Sequence, residues 1–427
     1  MASAGAAAGT ASLHEQRSLR ARAAFEELPN RYLGAPDDLD ATIQVRLGDV
    51  GRTWEIRLRG ERCDVHPSPA REPDAVIGTD ASTWLALREG RLSGLDAFSQ
   101  RRLYARGDLD LALGFEGMFR LPGGRDPLLR VARAETSRGR VTTLISGDGA
   151  EHAICLHGLG SNKASFFETV AALSPSYTVH ALDLPGFGSS DKPARGAYDA
   201  PWFADAILSY MDAIGIGRAH LIGNSMGGRV AIEVGFEAPE RTASLSLLAP
   251  ALAFRRRQLA PLVRLLRPEL AVIPHGLRER IVREQFRALF ACPERLDPAT
   301  ADVAIEEFCR LYRSRAARVA FFAAARNIYL DEPRGERGFY ARLALLEPPA
   351  LFVWGERDRI IPPAFARHVA EALPGAEQVI LDDCGHVPQV EFAERANLLI
   401  GAHIAAASAG AEPAAGGILR RALRRAG

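Results

Sequence analysis

The alternation of hydrophobic and polar positions near the start of the chain is that of short strands and amphipathic helices. It predicts a helix at 13–32 and strands at 42–47, 54–59 and 74–79. A second helix is predicted to begin after a cap at Thr79 or Asp80, to run through Leu87 and to end at Gly90. Residues 48–51 are Gly-Asp-Val-Gly, which favours a hairpin turn between the first two strands. Together these elements predict a small α+β domain over residues 13–120.

The pattern changes after residues 121–127, Leu-Pro-Gly-Gly-Arg-Asp-Pro, which are typical of a turn. Short apolar runs, separated by helical segments, then predict strands at 153–156, 177–182, 220–222, 243–248, 351–354 and 378–381. This alternation indicates a mostly parallel sheet with helices on both faces, within an α/β domain over residues 125–405. Between residues 251 and 346 the strands stop, and we expect a helical insert with 18 arginines against 11 acidic residues.

Composition excludes several other classes of protein. The 53 basic and 52 acidic residues give a net charge of +1, so no overall field attracts nucleic acid. The five cysteines are widely spaced and form no Cys-x-x-Cys pair, which argues against a disulfide framework or a zinc site and favours a reducing compartment. The first residues carry neither the basic nor the apolar region of a secretory signal, and no run is apolar enough to span a membrane. We therefore expect a cytoplasmic protein.

The two ends of the chain have biased composition. Residues 1–12 are rich in alanine, glycine and serine, and residues 406–427 are rich in alanine, glycine and proline and end in a basic segment. Both segments are predicted to be disordered tails.

A serine in a strand–turn–helix setting is the strongest chemical signal. Gly223-Asn-Ser-Met-Gly-Gly228 follows the apolar strand 220–222 and precedes a helical run. In such a turn, small flanking residues let the Ser225 hydroxyl project freely, and the N–H of Met226 at the helix start is free to stabilise an oxyanion. The setting predicts that Ser225 is a nucleophile.

A serine nucleophile needs a base, and the base needs an orienting carboxylate. Of the ten histidines, His386 is predicted to be the base because it lies in a Gly-His pair in the loop after the last strand. Asp358, in the loop after strand 351–354, is the preferred acid, with Glu356 as its rival. The chain order Ser225, Asp358, His386 is the order expected of an α/β sheet enzyme.

The second oxyanion donor is expected in the loop after the first predicted parallel strand. Residues 157–160 are His-Gly-Leu-Gly, and the N–H of Leu159 is the candidate donor. His157 is interpreted as a structural residue of this loop, and Cys384 as a small buried residue. The predicted mechanism passes through an acyl-enzyme and implies no metal and no organic cofactor.

Residues 125–405 resemble the α/β-hydrolase superfamily with a serine nucleophile and a cap. The resemblance rests on the motifs His157–Gly160, Asp183–Pro193, Gly223–Gly227, Gly355–Asp358 and Gly385-His386. It implies that 251–346 is a helical cap over the active site and that Asp183–Pro193 is a structural turn. It further implies hydrolysis of a carboxylic ester, with the hydrolysis of carbon–carbon bonds in aromatic or sterol breakdown products as the alternative.

The N-terminal domain resembles sterol-carrier-like lipid-transfer domains. The motifs concerned are residues 73–79, the helix containing Trp84-Leu-Ala-Leu87, Gly90, and 107–109 leading into 111–119. The resemblance implies an apolar interior that binds acyl chains or sterols; the alternative is that these side chains only fill a core. The expected partner is therefore an apolar ester or lipid, and a carrier without catalysis is the third hypothesis. The basic cap predicts peripheral contact with anionic membranes, and the oligomeric state stays open.

Overall fold

The computed structural model describes residues 4–34, 39–124, 129–265, 267–268 and 279–410. Residues 266 and 269–278 of the expected helical insert, and the predicted tail beyond residue 410, lie outside these residues. The chain forms two compact units, 1–131 and 132–427. Among the described residues, no helix is both long and apolar enough to cross a membrane.

The described residues of the first unit form a five-stranded sheet and five α-helices. Its strands are β1 (Asp40–Leu47), β2 (Arg52–Arg59), β3 (Arg62–His66), β4 (Ala75–Thr79) and β5 (Leu103–Gly107). Its helices are α1 (Ala4–Glu26), α2 (Leu28–Arg31), α3 (Ala81–Arg88), α4 (Gly94–Ser99) and α5 (Leu109–Gly114). The strand order is β3-β2-β1-β4-β5, and only the central β1–β4 pair is parallel. The predicted small α+β domain is confirmed.

An aromatic stack forms the core of this unit. Phe25 lies between Trp54 and Trp84, with ring centroids 4.0 and 4.2 Å away and nearly parallel planes. Every one of these rings is at most 4% exposed. Asp80, rather than Thr79, caps α3, because its carboxylate accepts the N–H of Thr83 at 2.9 Å.

Two elements of the first unit differ from the sequence prediction. Residues 1–12 were expected to be disordered, but α1 begins at Ala4, since alanine is the residue most favourable to a helix. Strand β3 was not predicted, because three of its five residues are polar and exposed, as is common in an edge strand.

The described residues from 129 onwards form an eight-stranded sheet, whose first strand begins three residues before the second unit. Its strands are β6 (Leu129–Thr136), β7 (Gly139–Ser146), β8 (His152–Leu156), β9 (Thr178–Leu182), β10 (Ala219–Asn224), β11 (Thr242–Leu248), β12 (Ala350–Gly355) and β13 (Glu377–Leu381). The order is β13-β12-β11-β10-β8-β9-β7-β6. Strands β8 to β13 pair in parallel, and β7 is antiparallel to β9. All six predicted strands are present, whereas β6 and β7 were missed because polar residues interrupt their apolar pattern.

Helices cover this sheet and fill the insert between β11 and β12. They are α6 (Phe167–Leu173), α7 (Ala200–Ala213), α8 (Met226–Glu237), α9 (Ala260–Leu265), α10 (Glu279–Arg287), α11 (Pro298–Tyr312), α12 (Arg315–Leu330), α13 (Phe339–Leu343), α14 (Phe365–Ala372), α15 (Pro388–Glu391) and α16 (Ala393–Ser408). The expected helical insert is thus present as α9 to α13. Helix α16 continues to Ser408, into the segment predicted as a tail, since its alanines favour the helix.

The central strands are almost completely buried. Every residue of β10 and β12 is buried, as expected of parallel strands covered on both faces. Because parallel strands all end at the same edge, the loops after β8, β10, β12 and β13 are brought together there. The predicted chemical residues lie in these four loops.

Candidate active site

Ser225 occupies a sharp turn between β10 and α8. Its backbone has φ +53° and ψ −115°, a conformation that residues other than glycine rarely adopt. The turn packs so tightly that a Cβ on Gly223 would lie 2.4 Å from the carbonyl oxygen of Gly227. A Cβ on Gly227 would lie 1.9 Å from the carbonyl oxygen of Leu156. Only glycine therefore fits at these two positions beside the serine.

Main-chain hydrogen bonds hold this turn while the serine side chain stays uncommitted. The N–H of Ser225 donates to the carbonyl of Leu248 at 3.0 Å, and the N–H of Ala251 donates to the carbonyl of Ser225 at 2.9 Å. The Ser225 hydroxyl makes no capping bond to α8. The residue is 9% exposed, so its oxygen lies at the edge of the buried core.

Asp358 and His386 are hydrogen-bonded to each other. The Nδ1 of His386 lies 2.7 Å from the Oδ2 of Asp358, and each residue is 5% exposed. The other carboxylate oxygen accepts the N–H groups of Ile360 and Ile361 at 2.8 and 2.9 Å. Because Nδ1 faces a carboxylate, it is the protonated nitrogen, and Nε2 is left as an acceptor.

Glu356, the rival carboxylate, faces elsewhere. It is exposed, and its Oε2 accepts the N–H of Asp383 at 3.1 Å. Asp383 itself forms an ion pair with Arg357 on the surface. Of the two carboxylates in the loop after β12, Asp358 is therefore the one that contacts His386.

The loops of Ser225 and His386 are joined through Asn224. The Asn224 side-chain amide donates to the main-chain carbonyls of His386 and Leu248, both at 3.0 Å. Among the bonds of the described residues, the Ser225 hydroxyl and the His386 ring are not linked directly. Hydrogen bonds of this kind are often long before a substrate is bound.

A glutamate missed by the sequence analysis fixes the histidine loop to the insert. The Glu391 carboxylate accepts the N–H of Gly385 at 2.6 Å and the N–H of Cys292 at 2.8 Å. The N–H of His386 donates to the carbonyl of Leu289 at 2.7 Å. No sequence signal could identify this role, because Glu391 and Cys292 are 99 residues apart.

The loop after β8 lies against the serine turn. A Cβ on Gly158 would come within 3.3 Å of the Cβ of Ser225. Leu159, the next residue, packs partly buried against the core. Met226 is the first residue of α8, where backbone N–H groups have no partner within the helix. Met226 therefore directly follows the serine, and Leu159 follows Gly158, which lies against the serine.

His157 is committed to the backbone of this loop. Its Nδ1 donates to the carbonyl of Gly158 at 2.8 Å, and its Nε2 accepts the N–H of Leu184 at 3.0 Å. The ring is fully buried, and this burial lowers its pKa, which favours the neutral form. With both nitrogens occupied by main-chain groups, His157 has the structural position expected of it.

A buried ion pair lies beneath the same loops. The Lys163 ammonium is 2.6 Å from Asp183, which also accepts the N–H groups of Lys163 and Ser189. Burial alone would raise the pKa of Asp183, but Lys163 and the hydrogen bonds hold it below its usual value. The sequence analysis found the Asp183 turn but missed Lys163.

Aromatic residues of the insert cover the loop after β8. A Cβ on Gly160 would lie 2.9 Å from the ring of Phe321 in α12 and 3.1 Å from the ring of Phe308 in α11. Tyr312 and Phe322 extend this cluster, with each ring within 6.4 Å of a neighbour. The insert therefore presents an apolar wall beside the serine turn.

The five cysteines are free thiols, and Cys384 is buried next to His386. Burial raises the pKa of the Cys384 thiol, so it stays protonated, as expected of a small packing residue. Within the described ranges, no group of three or more histidine, cysteine, aspartate or glutamate side chains could hold a metal ion.

The fold and this site define a protein class. Residues 152–393 match the alpha/beta hydrolase fold family, and residues 24–120 match the SCP-2 sterol transfer family. The chain belongs to the α/β-hydrolase family and carries an N-terminal sterol-carrier-type domain.

Similar proteins have several activities. The dihydrolipoyllysine-residue acetyltransferase component of the acetoin cleaving system of Pseudomonas putida is 33% identical over 84% of this chain and 88% of its own. A 2-hydroxy-6-oxononadienedioate/2-hydroxy-6-oxononatrienedioate hydrolase of Paraburkholderia phymatum is 30% identical over 60% of this chain and 87% of its own. The crystal structure of a bacterial membrane phospholipase A superposes with a TM-score of 0.57, at 25% identity, over 77% of this chain and 96% of that one.

Lys163→Met should destabilise the second unit by about 3–5 kcal/mol at neutral pH, because it leaves the Asp183 carboxylate buried and uncompensated. The pKa of Asp183 is lowered in the folded wild type. The ion pair therefore stabilises the folded state fully above the unfolded pKa of about 3.9, and this stabilisation is lost as the pH falls through the folded pKa. In the variant, burial should raise that pKa, so acid should relieve the penalty. Urea denaturation should thus show that the difference in unfolding free energy between the wild type and Lys163→Met narrows from pH 7 towards pH 4.

The double variant Lys163→Met, Asp183→Leu is the control. It removes both charges and should lose less stability than Lys163→Met alone. A double variant less stable than the single one would contradict the assigned cause.

Proposed function

We propose that the protein is a serine hydrolase that cleaves a carboxylic ester with an apolar acyl group. In this proposal Ser225 is the nucleophile, His386 is the base and Asp358 orients the base. The observation that carries it is the 2.7 Å bond between Asp358 and His386, on loops tied to the strained serine turn.

The proposed reaction uses this geometry in two steps. The Nε2 of His386 takes the Ser225 proton as the serine oxygen attacks the ester carbonyl, and Asp358 stabilises the imidazolium that forms. The N–H groups of Leu159 and Met226 receive the tetrahedral oxyanion. The alcohol leaves with the proton from His386, and water, activated by the same base, releases the acid from the acyl-enzyme.

Three observations support an apolar acyl ester as the substrate. The wall formed by Phe308, Phe321 and their neighbours is hydrophobic, which favours burial of hydrocarbon over polar groups. The attached sterol-carrier-type domain belongs to a lipid-handling family. The structural similarity to a phospholipase A agrees with this choice.

Carbon–carbon bond hydrolysis is the second candidate. It is favoured by the similarity to the hydrolase of Paraburkholderia phymatum, whose name states a dienedioate or trienedioate substrate. A substrate with two carboxylates needs cationic groups, and the aromatic wall beside Ser225 is instead apolar. Comparing the hydrolysis of p-nitrophenyl esters with that of a 2-hydroxy-6-oxo-dienoate separates the two reactions.

The surface of the insert supports a proposal for its partner, an anionic membrane. Several of its arginines are internally paired, because Arg255 contacts Glu371 and Arg257 contacts Glu332, both at 2.9 Å. The exposed face around α9 instead combines apolar and cationic residues. Its exposed members are Arg256, Leu259, Leu262, Arg264, Leu265 and Arg267. The three leucines are 59%, 61% and 78% exposed, a composition typical of surfaces that bind at a lipid interface.

Ser225→Ala should abolish both esterase activity and covalent labelling by a fluorophosphonate, since the attacking oxygen is removed. Mass spectrometry of the labelled wild type should place the probe on the peptide containing Ser225. Labelling of another serine, or full esterase activity in the variant, would exclude Ser225 as the nucleophile. A wild type with neither labelling nor esterase activity would favour a carrier without catalysis.

Asp358→Asn should lower kcat by about four orders of magnitude, because an amide stabilises the wrong histidine tautomer. The matched control is Glu356→Gln, which changes the neighbouring exposed carboxylate and should leave kcat within about twofold, since surface changes are usually mild. Circular dichroism checks that both variants fold. Equal losses in the two variants would reject the role proposed for Asp358.

Leu262→Ser with Leu265→Ser should weaken binding to anionic liposomes, because these side chains would enter the interface. Binding of the wild type should also fall with salt, since the Debye length shortens to about 3 Å at 1 M. The control is Leu345→Ser with Leu398→Ser, which changes two exposed leucines of other helical regions. Liposome sedimentation in which both double variants match the wild type would reject α9 as the docking face.

A further inference from the structure

The main chain that carries the His386 ring is bonded on every polar group. The N–H of His386 donates to the carbonyl of Leu289 at 2.7 Å, and its carbonyl accepts the side-chain amide of Asn224 at 3.0 Å. The preceding N–H, that of Gly385, donates to the Glu391 carboxylate at 2.6 Å. The position of the ring, which is attached to this main chain, therefore depends on these three partners.

The segment 289–292 of the insert packs directly on the residue before the histidine. A Cβ on Gly385 would lie 2.5 Å from the carbonyl oxygen of Leu289 and 2.7 Å from the backbone nitrogen of Ala291. A Cβ on Gly355, at the end of β12, would lie 2.0 Å from the carbonyl oxygen of Gly385. Gly385 is thus in close contact with both the insert and the end of the sheet strand that precedes Asp358.

Glu391 connects the insert to the histidine loop through both of its carboxylate oxygens. Its Oε2 accepts the N–H of Gly385, and its Oε1 accepts the N–H of Cys292 at 2.8 Å. Within the part of the chain that the structure describes, this carboxylate makes no ion pair, so its partners are main-chain groups. A carboxylate only accepts hydrogen bonds, whereas an amide of the same shape would direct its NH₂ group at one of these two N–H donors. Both contacts therefore require the acid.

We propose that Glu391 is a positioning residue for the hydrolysis. It holds the main chain of His386 so that Nε2 can reach the Ser225 hydroxyl while Nδ1 stays on Asp358, 2.7 Å away. The proposal rests on the proposed function, because it concerns the rate at which His386 acts as the base. A displacement of about 1 Å in a reacting group can lower a rate about a hundredfold. Through the same carboxylate, the placement of segment 289–292 also sets the placement of the base.

The test measures hydrolysis of p-nitrophenyl butyrate by the full chain. Glu391→Gln should lower kcat by about tenfold to a hundredfold, because one of the two main-chain contacts is lost and His386 shifts. KM should change by less than about twofold, since the aromatic wall that would contact the substrate is unaltered. Glu391→Asp should give an intermediate kcat, because it keeps two acceptor oxygens on a shorter side chain.

Two control variants separate this effect from changes in charge and in stability. Glu394→Gln removes an exposed carboxylate three residues further along the chain and should leave kcat within about twofold. Thr169→Val removes the buried 2.8 Å hydrogen bond between α6 and Asn397 of α16 and should lower the stability of the same unit. Because it leaves the bonds of the His386 loop intact, it should keep kcat.

A double variant distinguishes positioning of the base from a general structural role. In Asp358→Asn the histidine is already in the wrong tautomer, so adding Glu391→Gln should slow fluorophosphonate labelling by less than about threefold. In the wild-type background the same change should slow it about tenfold or more. A residue that only stabilised the fold would give the same factor in both backgrounds.

Full kcat in both Glu391→Gln and Glu391→Asp would overturn the proposal, as would equal factors in the two backgrounds or an equal loss of kcat in Thr169→Val. In each of these cases the wild type is active, and the proposed function stands. A wild type that neither hydrolyses the ester nor reacts with the fluorophosphonate would overturn the proposed function, and the role of Glu391 with it.

Discussion

The close packing of the turn at Ser225 is the constraint on which the second unit depends. The positive φ of Ser225 costs about 1–3 kcal/mol, and it persists because the neighbouring backbone leaves no room for another path. Gly227 lies directly on the end of β8, and the Ser225 backbone bonds to the carboxyl end of β11 and to Ala251 beyond it. The parallel sheet therefore sets the position of the serine, and the same edge receives the loops of Asp358 and His386.

The insert is part of this framework rather than a separate cover. Glu391 joins the His386 loop to Cys292, and the main chain of His386 bonds to Leu289. On the other side, Arg229 of α8 forms an ion pair with Asp331 at the end of α12, at 2.8 Å. A displacement of the insert would therefore strain the elements that carry both Ser225 and His386.

Much of the second unit could be predicted because its signals are local. The motif around Ser225, the Gly-His pair at 386 and the apolar strands each lie within a few residues of sequence. The choice of Asp358 over Glu356 depends on the direction of a side chain, which the N–H groups of Ile360 and Ile361 fix in three dimensions. The sequence pattern placed both carboxylates in one loop and could not show that direction.

Contacts between distant residues explain what the sequence pattern missed, and buried cations illustrate the difference. Lys163, Arg229 and Arg88 are each 3% exposed, and the sequence marks none of them as special. Lys163 and Arg229 each meet carboxylates within 2.8 Å, so their charges are compensated inside the protein. The Arg88 guanidinium instead lies over the aromatic rings of Trp84 and Phe119. Aromatic faces compensate a buried charge less completely than carboxylates do, so the environment of Arg88 could not be predicted from the residues next to it in the sequence.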